Sequence, residues 1–479
     1  MYVFNKKTII IYLKNVLIKR TIKFLLAYFL NNFEYYIVNN MKYINKTTLY
    51  LFFLFAFQIS EAQELPKRKM TVAQLADSLE AKNIQIKLAD ISVKVASAKI
   101  SDVKMNRLPS IGAEMTGMYL SDVTIYDKDW SQVQKVDLPN FGHQFSVSAK
   151  QLIYGGGRVN KAVELAELNK TLAENQLSDV NLGVKLNAAE LYLTLYNLQN
   201  QKEILLNNEI LANERLKNVR LFFDQNMVTK NEVLRAEVLK RQLEQSVLQI
   251  QNAIEITNKN LLLFAGLEEN VMIVPDVSNI NHQIREQDEA YFLELAYKNN
   301  PQLSISDIQI ALTKKNLELT RSDYKPTLAA FSGYNASRPM TSTVPALDFY
   351  STNYQVGLNL SYNFDALYKN NKKTAVNKIL IEQAELGKIA IMQQIDAQVN
   401  AAYKNYQQAI KQREVSAINE IAADENYRIT ELKYKNQLVT IAEIIDASNT
   451  KLQAELQTLD DSTEIILNYV KLLRVTGQL

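Results

Sequence analysis

One pattern is written twice along this chain, and a duplicated unit has to fold twice in the same way. Lys82-Asn83-Ile84-Gln85-Ile86 lies against Asn299-Asn300-Pro301-Gln302-Leu303 at an offset of 217. The same offset pairs Asp90-Ile91 with Asp307-Ile308 and Pro109 with Pro326. Farther along the offset is 211. There Phe223 to Thr229 falls on Tyr434 to Thr440, Glu232 on Glu443, Ala236 on Ala447, Leu261-Leu262 on Leu472-Leu473 and Gly266 on Gly477. The drift of six residues lies in the middle of each unit, where loops belong. Residues 63–270 form the first unit, 271–288 a linker and 289–479 the second.

Each unit reads as helix, β-hairpin, long helix, helix. The opening stretches, Thr71 to Leu108 and Glu289 to Lys325, have the apolar spacing of a helix with one buried face, and they stop at Pro109 and Pro326. Hairpins follow over 110–154 and 327–364. In Tyr354 to Phe364, Val356, Leu358, Leu360 and Tyr362 alternate with Gln355, Gly357, Asn359, Ser361 and Asn363. Such alternation sets one face against an apolar medium and the other against water. Strands of about 10 residues suit a tilted membrane strand. Between the strands, 121–140 and 337–349 read as polar loops. Long proline-free helices span 158–222 and 369–434. Gly155, Gly156 and Gly157 form the bend from strand to helix; the stretch lacks the GK[S/T] ending of a phosphate loop. Thr229 and Thr440 each open a T-x-x-E pattern, a capping box that starts the last helices, 229–265 and 440–475.

At about 1.5 Å per residue the long helix spans roughly 97 Å, and the two shorter helices stacked end to end about the same. Each unit is therefore a pair of rods, one continuous and one broken, on one hairpin. Two units supply four strands. Four strands cannot close, and an open edge in lipid leaves backbone groups unpaired at several kcal/mol each. Oligomerisation is required. Two copies would leave little lumen, so three copies with twelve strands are expected.

Met41 to Ala62 reads as a secretory signal, with Lys42 and Lys46 ahead of an apolar run too short to span a bilayer. Residues 1–40 read as upstream sequence before the true start, or as an extension. The first 62 residues hold eight of the 54 Lys and Arg and two of the 51 Asp and Glu, so the remaining 417 carry a net charge of −3 rather than +3. The basic balance belongs to the leader and argues for no nucleic-acid partner. Cysteine is absent and His143 and His282 lie far apart. No metal, cofactor or catalytic constellation is implied, and an enzyme is the weakest reading.

These features together resemble the TolC family of outer-membrane efflux channels over nearly all of 63–479. Gln151 to Arg158 looks like the family's strand-to-helix segment, and Tyr434 to Ala447 like its periplasmic tip. The departures are Phe364-Asp365-Ala366-Leu367, which lacks the Gly pair, and Asn226 and Gln437, which stand where the tip turns carry Gly. The resemblance implies a mainly α chain with membrane β. Its homotrimer would join a twelve-stranded barrel in outer-membrane lipid to a long periplasmic helical barrel. It also implies a periplasmic adaptor and an inner-membrane pump of the RND or ABC type as partners, and export of small molecules.

The candidate site is then a gate. Glu443 and Asp446, at i and i+3 just inside a capped helix, share one face and would form two rings of carboxylates in a trimer, fit to bind cations. The resemblance matches them to the family's acidic constriction and Tyr434 to a tyrosine that holds the tip shut. Glu232 could add a further ring. Arg235 stands where the second unit has Asp446 and offers an ion-pair partner. Against this, Glu232 and Glu443 are already accounted for as capping residues. Two other readings use the same features: the outer-membrane duct of a type I protein secretion system, and a periplasmic coiled-coil scaffold or adaptor. The apolar alternation of Tyr354 to Phe364 argues against the scaffold.

Overall fold

The computed structural model describes residues 66–278, 287–340 and 347–479. The expected leader over 41–62 and the segment before it lie outside the described residues. The chain divides after Leu65. In Pro66–Leu479 the first half holds, in chain order, β1 (Lys67–Thr71), α1 (Val72–Lys82), α2 (Ile84–Met105), β2 (Ser110–Tyr119), β3 (Val123–Tyr126), β4 (Gln132–Val136), β5 (Phe141–Tyr154), α3 (Arg158–Asp224) and α4 (Lys230–Ala265). The second half holds β6 (Met272–Asp276), α5 (Glu289–Asn299), α6 (Pro301–Ser322), β7 (Thr327–Arg338), β8 (Ser351–Ser361), α7 (Ala366–Lys435) and α8 (Ile441–Val475).

Three expectations need correction. The opening stretches are not single helices: each breaks after its first three turns, at Asn83 and at Asn300. The loop 121–140 carries the small antiparallel pair β3–β4. The linker contains β6, which pairs in parallel with β1.

The breaks have a common chemistry. Asn83 is 4 % exposed and its carboxamide works in both directions. Its Oδ1 accepts from Gln85 N at 2.8 Å and Ile86 N at 3.2 Å, capping α2. Its Nδ2 donates to Phe264 O at 2.8 Å, a carbonyl in the last turn of α4. Asn300 repeats the arrangement, accepting from Gln302 N at 2.9 Å and donating to Val475 O at 2.8 Å, in the last turn of α8. One amide thus splices the C-terminus of one helix to the N-terminus of another, satisfying end groups that a helix leaves unpaired. Gly266 and Gly477 leave α4 and α8 with φ of 64° and 73° and pass against Lys82 and Asn299, where a Cβ would collide. Only glycine combines that conformation with that approach.

The core at this level gathers Leu75, Leu79, Tyr192, Leu195 and Leu261 of the first repeat and Ile273 of β6. Fully burying each aliphatic side chain contributes about 2 kcal/mol. Tyr192 places its hydroxyl between β1 and β6, donating to Met70 O and accepting from Asp276 N at 2.7 Å. Burial pushes this phenol up to about 12. The second repeat builds an equivalent centre from Phe292, Leu303, Ile395, Val399, Tyr406 and Leu472.

Lateral order is the same in sheet and helices. The strands run β2-β5-β7-β8, all antiparallel. Beside them α2 packs on α3, α3 on α6 and α6 on α7. Each strand therefore continues into, or follows from, its own helix without crossing another. Register sorts the sheet's faces. Paired side chains share a face, which sets Ile111, Met115, Phe145, Tyr334, Val356 and Leu358 on one side and Glu114, Ser146, Lys150, Asn335, Gln355 and Asn359 on the other. The apolar residues of this face are uncovered, Met115 at 77 % and Val356 at 78 % exposure. β2 and β8 are paired on one side only.

Candidate gate at the helix tip

The ends of α3 and α7 face a geometric problem: each rod must reverse within five residues. Both do so with a non-glycine residue in the left-handed region, Asn226 at φ 58° and Gln437 at φ 62°. Met227 N donates to Phe222 O and Asn226 N to Phe223 O, both at 2.8 Å; Leu438 N to Lys433 O and Gln437 N to Tyr434 O, both at 2.9 Å, do the same. This pair of bonds closes the C-terminus of a helix and needs a left-handed residue. Asn accepts that conformation more readily than Gln does.

The next helices start from Thr229 and Thr440. The Glu443 carboxylate accepts from Thr440 N at 3.3 Å while Glu443 N donates to Thr440 Oγ1 at 3.4 Å. The Glu232 carboxylate accepts from Thr229 N at 3.2 Å. Both glutamates therefore cap their own helices. Glu443 and Asp446 are exposed on α8 one turn apart. Arg235 and Asp446 line one groove of about 460 Å³ between α4 and α8, with Leu234, Val238, Ile445 and Asn449. The expected ion pair is not formed within the chain: among the described residues neither side chain meets an opposite charge. Both project into water, where an isolated pair gains little.

Tyr434 lies deeper. It packs with Val228 and Val233 against Leu216, Val219, Tyr427 and Ile444, a cluster built from both repeats. Its hydroxyl is buried and has no hydrogen-bond partner among the described residues. Burial pushes the phenol above its ordinary range, the Glu232 carboxylate adds to that, and Arg215 opposes it. Arg215 is a residue the sequence did not single out. It is buried, and its Nη2 donates to Tyr427 Oη at 3.3 Å and to Ser448 Oγ at 3.5 Å. At the other end of the long helix, Gly156 and Gly157 have φ of 63° and 79°. A Cβ on Gly156 would stand 2.9 Å from Ser322 O, so the bend that Gly155 begins needs glycine next. The second bend, at Asp365, is right-handed and needs none.

Residues 292–478 match the family described as outer membrane efflux protein. The chain carries an outer membrane efflux protein domain. That domain covers the second repeat, including Tyr434 to Ala447, so the family expected from that segment is the family found. Solved structures extend the likeness over both repeats. CusC, from a study of folding and transmembrane channel formation, is 14 % identical, with a TM-score of 0.71 over 85 % of this chain and 92 % of that one. The outer membrane protein VceC of Vibrio cholerae is 12 % identical, with 0.67 over 85 % and 96 %. The open state of the MtrE outer membrane channel of Neisseria gonorrhoeae is 14 % identical, with 0.66 over 85 % and 88 %. At such identities the agreement is one of fold. No curated protein matches the chain in sequence.

Proposed function

We propose that three copies of this chain close into an outer-membrane channel that exports small molecules, as the outer part of a tripartite efflux system with a periplasmic adaptor and an inner-membrane pump of the RND or ABC type. One observation carries the reading. The sheet and the helical layer share an order, and so end at the same two sides, β2 with α2 and β8 with α7. Both sides are unfinished. Ile84, Leu88, Ile91 and Val95 form an exposed apolar stripe along α2, and Val376, Ile379, Leu386 and Ile389 form one along α7. A second copy placed β8 to β2 covers both stripes and pairs both strand edges. Repetition around an axis removes every edge, the condition for a sheet in lipid. The apolar face then meets hydrocarbon and the polar face a water-filled lumen. No described helix is long and apolar enough to cross a membrane; the sheet supplies the crossing.

Glu443 and Asp446 from three copies would meet as rings at the far end, with Glu232 beside them and Tyr434 packing the turn behind. Such rings attract cations. Native mass spectrometry of protein extracted from outer membranes tests the assembly: a trimer is expected, and a soluble periplasmic monomer would refute the channel. Deleting the gene tests the cargo, with greater sensitivity to small toxic compounds expected. Unchanged sensitivity together with loss of an exported polypeptide would overturn the small-molecule assignment.

A further inference from the structure

Within the chain, α3 of the first repeat seats α6 of the second. The offset of 217 carries α2 onto α6, and the offset of 211 carries α3 onto α7, as Tyr192 against Tyr403 and Leu195 against Tyr406 show in the two cores. So α7 and α2 bear the same two surfaces that α3 and α6 press together, and theirs are uncovered. Leu312 of α6 is buried where Val95 of α2 is exposed; Leu165 and Leu168 of α3 are half-buried where Val376 and Ile379 of α7 are exposed.

The inner seam is held by charge. Lys315 pairs with Glu164 at 2.8 Å. Arg474, at the end of α8, pairs with Asp179 at 2.7 Å, and Gln302 Nε2 donates to the other carboxylate oxygen of Asp179 at 2.6 Å. Lys315, Arg474 and Asp179 are all largely covered. On the outer surfaces these positions are neutral. The counterparts of Lys315 and Glu164 are Ala98 and Ala375; those of Arg474 and Asp179 are Leu263 and Ala390. All four are exposed. Both members of each pair are replaced together. Replacing one alone would set a charge against a small apolar side chain, so the joint replacement marks the two positions as opposed in an assembly.

We propose that the seam between copies is a neutral version of the seam within the chain: Ala98 of one copy faces Ala375 of the next, and Leu263 of one copy faces Ala390 of the next. The inference rests on the reading of the chain as a closed ring of copies. The charges decide which surfaces meet. Lys315 and Arg474 need the carboxylates of α3; set against α7 they would find alanine and lie part-buried without a partner, which is costly. First and second repeats therefore alternate around the ring. A chain joins its own halves by charge and joins its neighbours by apolar contact.

Native mass spectrometry of the purified full-length protein in detergent micelles, over a dilution series, tests this with Ala98→Lys, Ala375→Glu and the two together. Both positions are exposed in the single chain, and circular dichroism checks that each variant folds. Each single sets a charge against alanine across the seam and is expected to raise the fraction of free chains about tenfold. The double recreates the Lys315–Glu164 pair and is expected to return to within about threefold of the unaltered protein. Ala98→Glu with Ala375→Glu, which opposes like charges, should show no such return. Salt at about 1 M, where charges act over only about 3 Å, should undo the rescue and leave the unaltered oligomer intact. Silent singles, a double no better than the worse single, or an unaltered oligomer that salt dissociates would overturn the neutral seam. Free chains alone at every concentration of the unaltered protein would overturn the ring itself. If Ala98→Lys fails to fold, Leu263→Arg with Ala390→Asp takes its place under the same criterion.

Discussion

The two repeats are nearly interchangeable at mid-height and unlike at the tip. At mid-height both use a buried Asn to join helix ends and a left-handed Gly to let the backbones approach. At the tip Arg235 stands against Asp446, Arg215 against Asn426 and Phe223 against Tyr434. Joints that carry packing were kept in both copies. The residues proposed above to face a pore or cross a seam differ between the two copies.

The sharpest test of the mid-height equivalence is at the glycines. Gly477→Ala would put a Cβ 2.5 Å from Asn299 O at φ 73° and should cost more than about 3 kcal/mol. Gly266→Ala meets Lys82 Cβ at 2.8 Å and backbone only at 3.3 Å, a longer approach, and should cost less. Thermal unfolding midpoints order the two, and the reverse order would break the comparison. Asn83→Ala and Asn300→Ala each remove a cap and leave a part-buried carbonyl without its donor, at about 2 kcal/mol apiece. Midpoints in denaturant that differ by more than half that amount would show that the joints are not alike.

Arg235→Asp erases the tip asymmetry by adding a carboxylate beside Asp446. Divalent-cation block should tighten about fivefold, which is the ~1 kcal/mol of one charge contact near 4 Å in water. Looser block would argue that Arg235 does not face the path. The smallest effect belongs to the turns. Gln437→Gly relieves a left-handed glutamine and should stabilise by about 1 kcal/mol, and Asn226→Gly by less, since Asn tolerates that region. Calorimetric midpoints would show it.

Much of this architecture was legible from residues alone. The alternation of Val356, Leu358 and Leu360 sorts the sheet faces, and the paired Thr-x-x-Glu patterns start α4 and α8. The breaks at Asn83 and Asn300 escaped because apolar spacing runs across them. Pro301, which disrupts the interior of a helix but fits its first turn, was the available sign. The β1–β6 pair escaped because it joins segments some 200 residues apart, and pairing at that distance leaves no local trace. At the tip the acidic residues could be found from capping chemistry and the family resemblance. Arg215 could not: an arginine in a long polar-faced helix reads as a solvated charge until its neighbours on another repeat are known.

The splice at Asn83 and Asn300 has a mechanical meaning. A continuous α-helix transmits torque along its axis, as α3 and α7 must. A rod whose halves meet through one carboxamide and a glycine turn transmits compression but lets the two halves turn about the common axis. Each repeat therefore couples a stiff shaft to a swivelling one. Rotation applied at the tip halves, α4 and α8, is absorbed at the joint and does not reach α2 and α6. Between tip and sheet, the turn is carried by α3 and α7 alone.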